Sequence, residues 1–348
     1  MLNVIVWATG TVGCHAIRAI GDKPFLQLVG GYTYSAAKVG CDLGELAGIE
    51  PLGVLATNQR DRILEMDADC VLYMPIGEGK LDIVVGDICQ LLASGKNVVS
   101  TALTALIYPR AAGRDVADRL DAACKAGQTS FHATGIQPGW AAEVLPLTMS
   151  PLLRKVDSLL VREILDYSTY PSAATLFDDM GFGRPAPAAM RRSLPPEGSG
   201  AFGAPLLMLA DAWGATIDEI VYECEFAVAD APYDIAAGRI EKGSVAGKRY
   251  SFTAMVAGRP AMKIEHVTRL GGHIAPEWPK GRGWYVSVEG TPSISVQAEI
   301  ACDGGDENDQ ACLAAAMHAV HAIAPVCEAQ PGISTFLDLP IQVGRNIL

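Results

Sequence analysis

Short apolar runs alternate with helix-length stretches through the N-terminal third of the chain. Val4-Ile5-Val6, Leu26–Gly31, Pro51–Leu55, Cys70–Tyr73, Asn97–Ser100 and Ser130–Thr134 read as strands. A first helix carrying Ile17 and Ile20 lies between them, followed by helices at Arg60–Met66, Leu81–Leu92 and Ala112–Ala126. Uninterrupted apolar runs of this length belong to strands buried on both faces, and helices between them imply right-handed crossovers and a parallel sheet. From Val156 the pattern changes. Strand-type runs follow one another at Ser158–Ile164, Glu219–Val228, Arg249–Val256, Met262–Leu270, Trp284–Glu289 and Ile294–Ala301, which predicts a mixed or antiparallel sheet. Phe177–Gly203, rich in Gly, Pro and Met, is expected to be a covering loop with a short helix. Gln310–Ala324 is expected to be a helix, and Thr335–Leu348 a tail folded back over the first domain. The predicted class is α/β, with an N-terminal parallel sheet and a C-terminal α+β domain. Gly135-Ile136-Gln137-Pro138-Gly139-Trp140 marks the exit from the first domain. The expected boundaries are 1–142 for the first domain, with 325–348 packing back on it, and 143–324 for the second.

The tight turn after the first strand, Ala8-Thr9-Gly10-Thr11-Val12-Gly13, carries the first candidate chemistry. Against the dinucleotide fingerprint G-x-G-x-x-G, Ala8 replaces the first glycine, while Gly10 and Gly13 supply the other two. Gly10 lets backbone approach a pyrophosphate, Gly13 lets the helix pack closely on the strand, and the helix N-terminus offers N–H groups to the anion. Thr9, Gly10, Thr11, Val12 and Gly13 are therefore candidate cofactor contacts; a purely structural glycine turn is the competing reading. The end of the second strand usually carries an acid for the ribose of NAD, yet no acid appears before Asp42. Ser35 and Lys38 offer instead a hydroxyl and a cation, which suit the 2′-phosphate of NADP. A solvated surface turn is the alternative. Ligands in such sheets lie beyond the carboxyl ends of the strands, which adds Met74, Pro75, Ser100, Thr101, Gly135 and Gln137 to the candidates.

Composition narrows the classes. The chain has 348 residues, 50% hydrophobic and 19% charged, with a formal net charge of −12. That balance argues against a general nucleic-acid or anionic-membrane partner. No run approaches about eighteen uninterrupted apolar residues, and the chain enters a strand at once, so a cytoplasmic protein is expected. Nine cysteines, Cys302 among them, are widely spaced with no C-x-x-C pair, and the histidines are scattered. No metal is expected.

With these residues in view, the chain resembles the dihydrodipicolinate reductase superfamily, and within it the branch of 2,4-diaminopentanoate dehydrogenase and the native NAD(P)-dependent amine dehydrogenases. The resemblance spans most of the chain. It rests on Trp7 to Gly13, Tyr34 to Asp42, Gly135 to Gly139, Glu163 to Ser168 with Tyr170, Met180 to Gly183, and Trp278-Pro279 leading to Val288 to Pro292. It implies a Rossmann domain, a C-terminal domain whose open mixed sheet makes a homodimer, and an active site in the cleft between the two. Amine dehydrogenases of this branch carry a glutamate shortly before a Tyr-Pro pair. Here Ser100 to Pro109 contains no carboxylate, and Ala105 or Thr104 stands at the corresponding place. The His-Lys signature of true dihydrodipicolinate reductases is absent as well.

Hydride transfer needs a proton source or oxyanion partner beside the nicotinamide. Tyr170, His266 and Thr104 are the catalytic candidates, with Tyr167 and Tyr108 behind them. A strand-end tyrosine packed on its neighbours and a core histidine are the competing readings of Tyr170 and His266. Glu163 and Asp166 are expected to fix loops. Trp140, Ala105, Phe177 and Met180, with Phe182, are candidates for an apolar substrate pocket. The expected function is hydride transfer from NADPH, with NADH as the alternative, to an apolar ketone, imine or activated alkene. Two alternatives stand beside it: an amine dehydrogenase using another acid, and a non-catalytic nucleotide-binding sensor.

Overall fold

Val4, Ile5 and Val6 are fully buried on both sides of the first strand, so β1 (Leu2–Trp7) lies at the centre of its sheet. The chain proceeds through α1 (Thr11–Gly21), β2 (Leu26–Tyr32), α2 (Leu43–Ala47), β3 (Ala56–Thr57) and α3 (Arg60–Glu65), then β4 (Cys70–Tyr73), α4 (Leu81–Ala93), β5 (Asn97–Ser100), α5 (Arg114–Gly127) and β6 (Ser130–Ala133). A two-residue strand from near the C-terminus, Gly332–Ile333, adds beyond β6. The sheet order is that strand, then β6-β5-β4-β1-β2-β3, and every pairing is parallel. This is the doubly wound order, with its switch point between β1 and β4. The computed structural model describes residues 1–77, 79–301 and 306–347. Cys302 and the last residue of the expected tail, Leu348, lie outside these.

Most of the expected strands stand where the apolar runs placed them. The third differs: Pro51–Leu55 is irregular, and β3 is the pair Ala56–Thr57. The reason is Asp42. Its carboxylate caps α2 at Gly44 N (2.7 Å) and also accepts from Leu52 N (2.9 Å) and Gly53 N (2.7 Å), so these amides serve a side chain rather than a ladder.

The chain divides into two units, residues 1–139 with 312–348 and residues 140–311. The second opens with α6 (Val144–Met149) and continues through β7 (Lys155–Asp166), β8 (Met190–Leu194), α7 (Gly203–Trp213), β9 (Glu219–Val228), β10 (Tyr233–Ile235), β11 (Gly238–Ile240), β12 (Val245–Val256), β13 (Arg259–Arg269), β14 (Gly283–Thr291) and β15 (Ile294–Ala298). Seven of these strands form a mixed sheet in the order β15-β14-β7-β13-β12-β9-β8, in which β7 and β13 run parallel and the other neighbours antiparallel. The stretch expected as a loop holds more order. It contains a π-helical turn at Ala174–Asp179 and the edge strand β8, and it ends at α7. Helix α7 is apolar all round, with Ala204 to Ala210 buried, so it shows no periodic polar face to read.

The last helix, α8 (Glu307–Glu328), runs well beyond the expected Gln310–Ala324. It is also placed differently. Its residues from Cys312 onward belong to the first unit, where Ala316, Ala319, Val320, Ala322, Ile323 and Val326 pack with Val4, Val6, Ile17 and Ile20. With 22 residues and mean hydropathy 1.4 in its most apolar window, α8 is long and apolar enough to cross a membrane. The buried stripe instead makes it a core helix, and this explains the composition. The tail then returns: the buried Lys23 ammonium donates to the carbonyls of Arg345 (2.9 Å) and Asn346 (3.2 Å).

Ile323 is fully enclosed in this core. Ile323→Ala is expected to cost about 2–5 kcal/mol of stability, read as a lowered denaturant midpoint with an unchanged slope.

Candidate functional site

The site is built from the carboxyl ends of β1, β2, β4, β5 and β6. At the end of β1, Ala8 adopts φ 93°, a left-handed region that glycine fills more easily. This turns the chain so that Gly13 rests against it; a Cβ on Gly13 would stand 1.9 Å from the Ala8 carbonyl oxygen. Any side chain at 13 would push α1 off β1. Around Gly10, by contrast, a Cβ would meet nothing within 4 Å, and Gly10 and Thr11 are exposed. No side chain caps α1 and no acid lies in its first turn. The first main-chain bond is Cys14 N to Gly10 O (2.8 Å), which leaves the amides of Thr11, Val12 and Gly13 aimed past the helix end. Helix α2 next door is closed by Asp42; α1 is open.

The residues after β2 fold against this turn. Lys38 closes a short 3-10 turn (Ala36–Lys38) and its Nζ donates to the Thr9 carbonyl at 2.6 Å, while Ser35 is exposed beside it. Thr9 and Thr33 meet through their hydroxyls at 3.1 Å. Behind them is an aromatic layer that the sequence reading did not single out. Trp7 stacks on Tyr32 with centroids 4.1 Å apart, and its indole N–H donates to the Tyr34 hydroxyl at 3.0 Å. The Arg60 guanidinium stands 5.7 Å from the Trp7 ring and pairs with Asp87, which also accepts from the Tyr73 hydroxyl at 2.8 Å. Burial, together with neighbouring Tyr34, pushes the Tyr73 hydroxyl far above the ordinary tyrosine range. The signal available in the sequence was Asp87 itself, a charge set in the middle of the apolar run that follows Asp82 in α4.

Met74 and Thr101 continue the sheet past its strand ends, with Met74 N on Trp7 O (2.9 Å) and Thr101 N on Tyr73 O (3.1 Å). A Cβ on Gly77 would lie 2.4 Å from the Ala102 carbonyl oxygen, so the loops after β4 and β5 are held together. Pro75 is half-buried in the first of these loops. The second carries Thr104 and Ala105, both half-buried, in a 3-10 turn (Thr104–Ile107). No carboxylate occurs from Ser100 to Ala112.

The turn after β6 is folded tightly upon itself. A Cβ on Gly139 would stand 2.1 Å from Gly135 N, and one on Gly135 would stand 2.6 Å from Pro138 O. Both polar atoms of the Gln137 amide are buried without a hydrogen-bond partner. A buried amide in that state fits a polar ligand group that both donates and accepts. His318 of α8 supports the turn, its Nδ1 3.0 Å from Gly135 O and 2.8 Å from Thr134 Oγ1. Phe336 lies between His318 (stacked, 5.7 Å) and His132 (edge-on, 4.9 Å). His132 is buried, with Nδ1 donating to Ser334 O (2.7 Å) and Nε2 accepting from Gln342 (3.3 Å). Only the neutral ring satisfies both contacts.

Among the candidates in the second unit, His266 lies in the sheet core. It is 2% exposed, with Nδ1 3.0 Å from Glu163, Tyr250 stacked on the ring at 4.8 Å and Phe202 packed at 4.1 Å; Nε2 is buried without a partner. The other Glu163 oxygen accepts from Trp284 Nε1 (2.8 Å). This network holds the ring among packed aromatic groups and ties it across strands to Glu163. Asp166 fixes a loop, accepting from Ser168 N (2.9 Å) and Gly271 N (3.0 Å). Tyr170 meets Tyr167 edge-on at 5.9 Å, and both pack on the apolar cluster that contains Leu176, Phe182 and Trp278. Phe177 and Met180 pack on the same cluster, in which Phe182 is fully buried. Trp140 stands edge-on to Trp284 at 6.4 Å.

The C-terminal domain of 2,4-diaminopentanoate dehydrogenase, as a family, matches residues 142–346. An amine dehydrogenase of Streptomyces virginiae is 34% identical over 354 residues, covering 99% of this chain and 98% of its own. The chain belongs to the 2,4-diaminopentanoate dehydrogenase family. The 2,4-diaminopentanoate dehydrogenase of Acetoanaerobium sticklandii is 27% identical over 251 residues, 70% of this chain and 67% of that one. The solved amine dehydrogenase of Mycobacterium smegmatis covers 99% of this chain and 98% of its own with a TM-score of 0.81 at 19% identity, so the α/β fold with its second, mixed-sheet domain is the family's. Membership makes this an oxidoreductase-type chain whose relatives are dehydrogenases.

Burial lowers the His132 pKa to about 4. Between that value and the ordinary 6.5, the unfolded chain binds the proton and the folded one does not. Stability is therefore complete above about pH 6.5 and falls by about 3 kcal/mol as the pH drops toward 4. Denaturant midpoints at pH 7.5 and pH 5 should show about 2 kcal/mol of this fall, and His132→Gln should reduce it.

Proposed function

We propose that the chain is an NADP-preferring dehydrogenase that moves a hydride between the nicotinamide and the carbon of an apolar imine or ketone. The observation that carries this reading is the open, uncapped N-terminus of α1 behind the Ala8–Gly13 contact, in a chain related end to end to an amine dehydrogenase. The residues fit the cofactor. The amides of Thr11, Val12 and Gly13 would hold the pyrophosphate across the space at Gly10. Lys38 and Ser35 would take the 2′-phosphate, with Arg60 as a further cation on that side and no acid before Asp42 to prefer a bare ribose. The unpartnered Gln137 amide matches a carboxamide, which also both donates and accepts. A bound nicotinamide supplies the hydride equivalent; the chain supplies position and proton management.

Met74, Pro75 and Thr101 would flank the reacting ring, and Thr104 offers a hydroxyl on the adjoining loop. Tyr170 is the candidate acid of the second unit, and Trp140, Ala105, Phe177 and Met180 are candidate walls for an apolar substrate. A second reading has a specific observation behind it. With no carboxylate from Ser100 to Ala112, that loop offers an ammonium ion only neutral acceptors, which hold it less well than a carboxylate does, so plain carbonyl reduction stands beside reductive amination. Glu143, fully buried just after Trp140, is the candidate acid if ammonia is used. The partners proposed are a small molecule and a second copy of the chain, in the cytoplasm. The polar face of the second sheet, where Arg162, Arg249 and Lys263 converge on buried Glu265, supports the homodimer.

Fluorescence titration should show NADPH binding at least about tenfold tighter than NADH, with Lys38→Ala removing most of that difference. Gly13→Ala should abolish binding of both. With apolar ketones, a rate that requires ammonium assigns amine dehydrogenation; a rate indifferent to ammonium assigns carbonyl reduction. Failure to bind either nucleotide would sink the enzyme reading and leave a chain with a structural turn only.

A further inference from the structure

A groove of about 740 Å³ opens at one end of the second unit's sheet, where the start of β7, the turn joining β12 to β13 and the end of α7 meet. Its size is that of a small-molecule site. We propose that it binds an apolar organic monocarboxylate, held between the arginines Arg154 and Arg259 over Trp213.

Three features lead there. First, the floor is apolar: Val156, Val256 and Met262 line it, and Trp213 forms one flank. Second, the Trp213 indole N–H is buried and has no hydrogen-bond partner. That donor is closed off from solvent, so what the groove meets at Trp213 is aromatic ring surface, which suits an organic body. Third, the rim is cationic in a chain of net charge −12. Lys155 is paired with Asp157 at 2.5 Å, but among the described residues neither Arg154 nor Arg259 has a carboxylate within ion-pair distance. Both guanidiniums are therefore available to a planar, bidentate acceptor.

The chemistry selects one charge and an apolar body. Asp157 sits on the same rim and opposes a second negative charge, which disfavours phosphate esters. The apolar floor gives bare inorganic anions nothing to bury. The frame is rigid where it matters. Gly258, at the turn between β12 and β13, donates from its backbone to Asp218 (2.8 Å), and α7 ends in a left-handed Gly214 directly after Trp213.

The test uses the full-length protein with 4-phenylbutanoate, followed by calorimetry and tryptophan fluorescence. Saturable binding is expected, with 4-phenylbutanol and inorganic phosphate each at least about tenfold weaker. Arg154→Ala and Arg259→Ala, both at exposed side chains, should each weaken binding about tenfold at an unchanged Tm. Trp213→Phe should remove the fluorescence change while calorimetry still detects weakened binding. Absence of saturable binding, arginine variants that bind like the parent, or phosphate binding as tightly as phenylbutanoate would each overturn the site.

Discussion

The contact between Gly13 and the Ala8 carbonyl sets the geometry on which the first unit depends. It brings α1 onto β1 closely enough that only a hydrogen can stand at position 13. That closeness aims the helix's free amides outward, past Gly10, while Ile17 and Ile20 reach the core. Ala8 carries part of the cost, since a left-handed backbone at a residue with a Cβ is unfavourable by about 1–2 kcal/mol. Strain of this kind persists only where the surrounding structure over-determines it. Trp7, locked by Tyr32 and Tyr34, is the neighbour that does so.

Much of this was legible in the sequence because it is local. Doubly buried strands read as apolar runs, and Gly10 and Gly13 stand at fixed offsets from β1. What was not legible came from contacts distant along the chain or from elements without a period. Helix α7 is apolar on every face and so resembles a strand or a loop more than an amphipathic helix. The strand expected over Pro51–Leu55 was displaced by a single carboxylate, Asp42, drawing off the amides of Leu52 and Gly53. The support of the Gly135 turn by His318, and of β6 by Phe336, Ser334 and Gln342, joins residues about two hundred positions apart. No spacing rule reports such a contact.

The same long-range closure explains why the C-terminal segment belongs to the first unit. Helix α8 places a small-residue stripe, Ala316, Ala319 and Ala322, beside the larger Val320 and Ile323. Small residues let it approach the sheet, and the larger ones fill what remains. Lys23 then ties the tail by donating to the carbonyls of Arg345 and Asn346. Candidate ligand groups in this unit, Gln137 above all, are positioned from behind by residues from the far end of the chain.

Charge is distributed in a way that composition conceals. Within a net charge of −12, the cations around the first unit's β1–α1 turn are placed locally and differently. Arg60 is neutralised by Asp87 and lies against Trp7, where it serves as a flat wall as much as a charge. Lys38 rests on a carbonyl, a neutral partner that leaves its charge uncancelled. Of the two, Lys38 keeps the fuller charge, because Arg60 is shared with a buried acid. The loop after β5 follows the opposite logic. It presents hydroxyl and methyl groups and no carboxylate from Ser100 to Ala112, and its polar side chains there include Thr104 and Tyr108 with the cation Arg110 beside them.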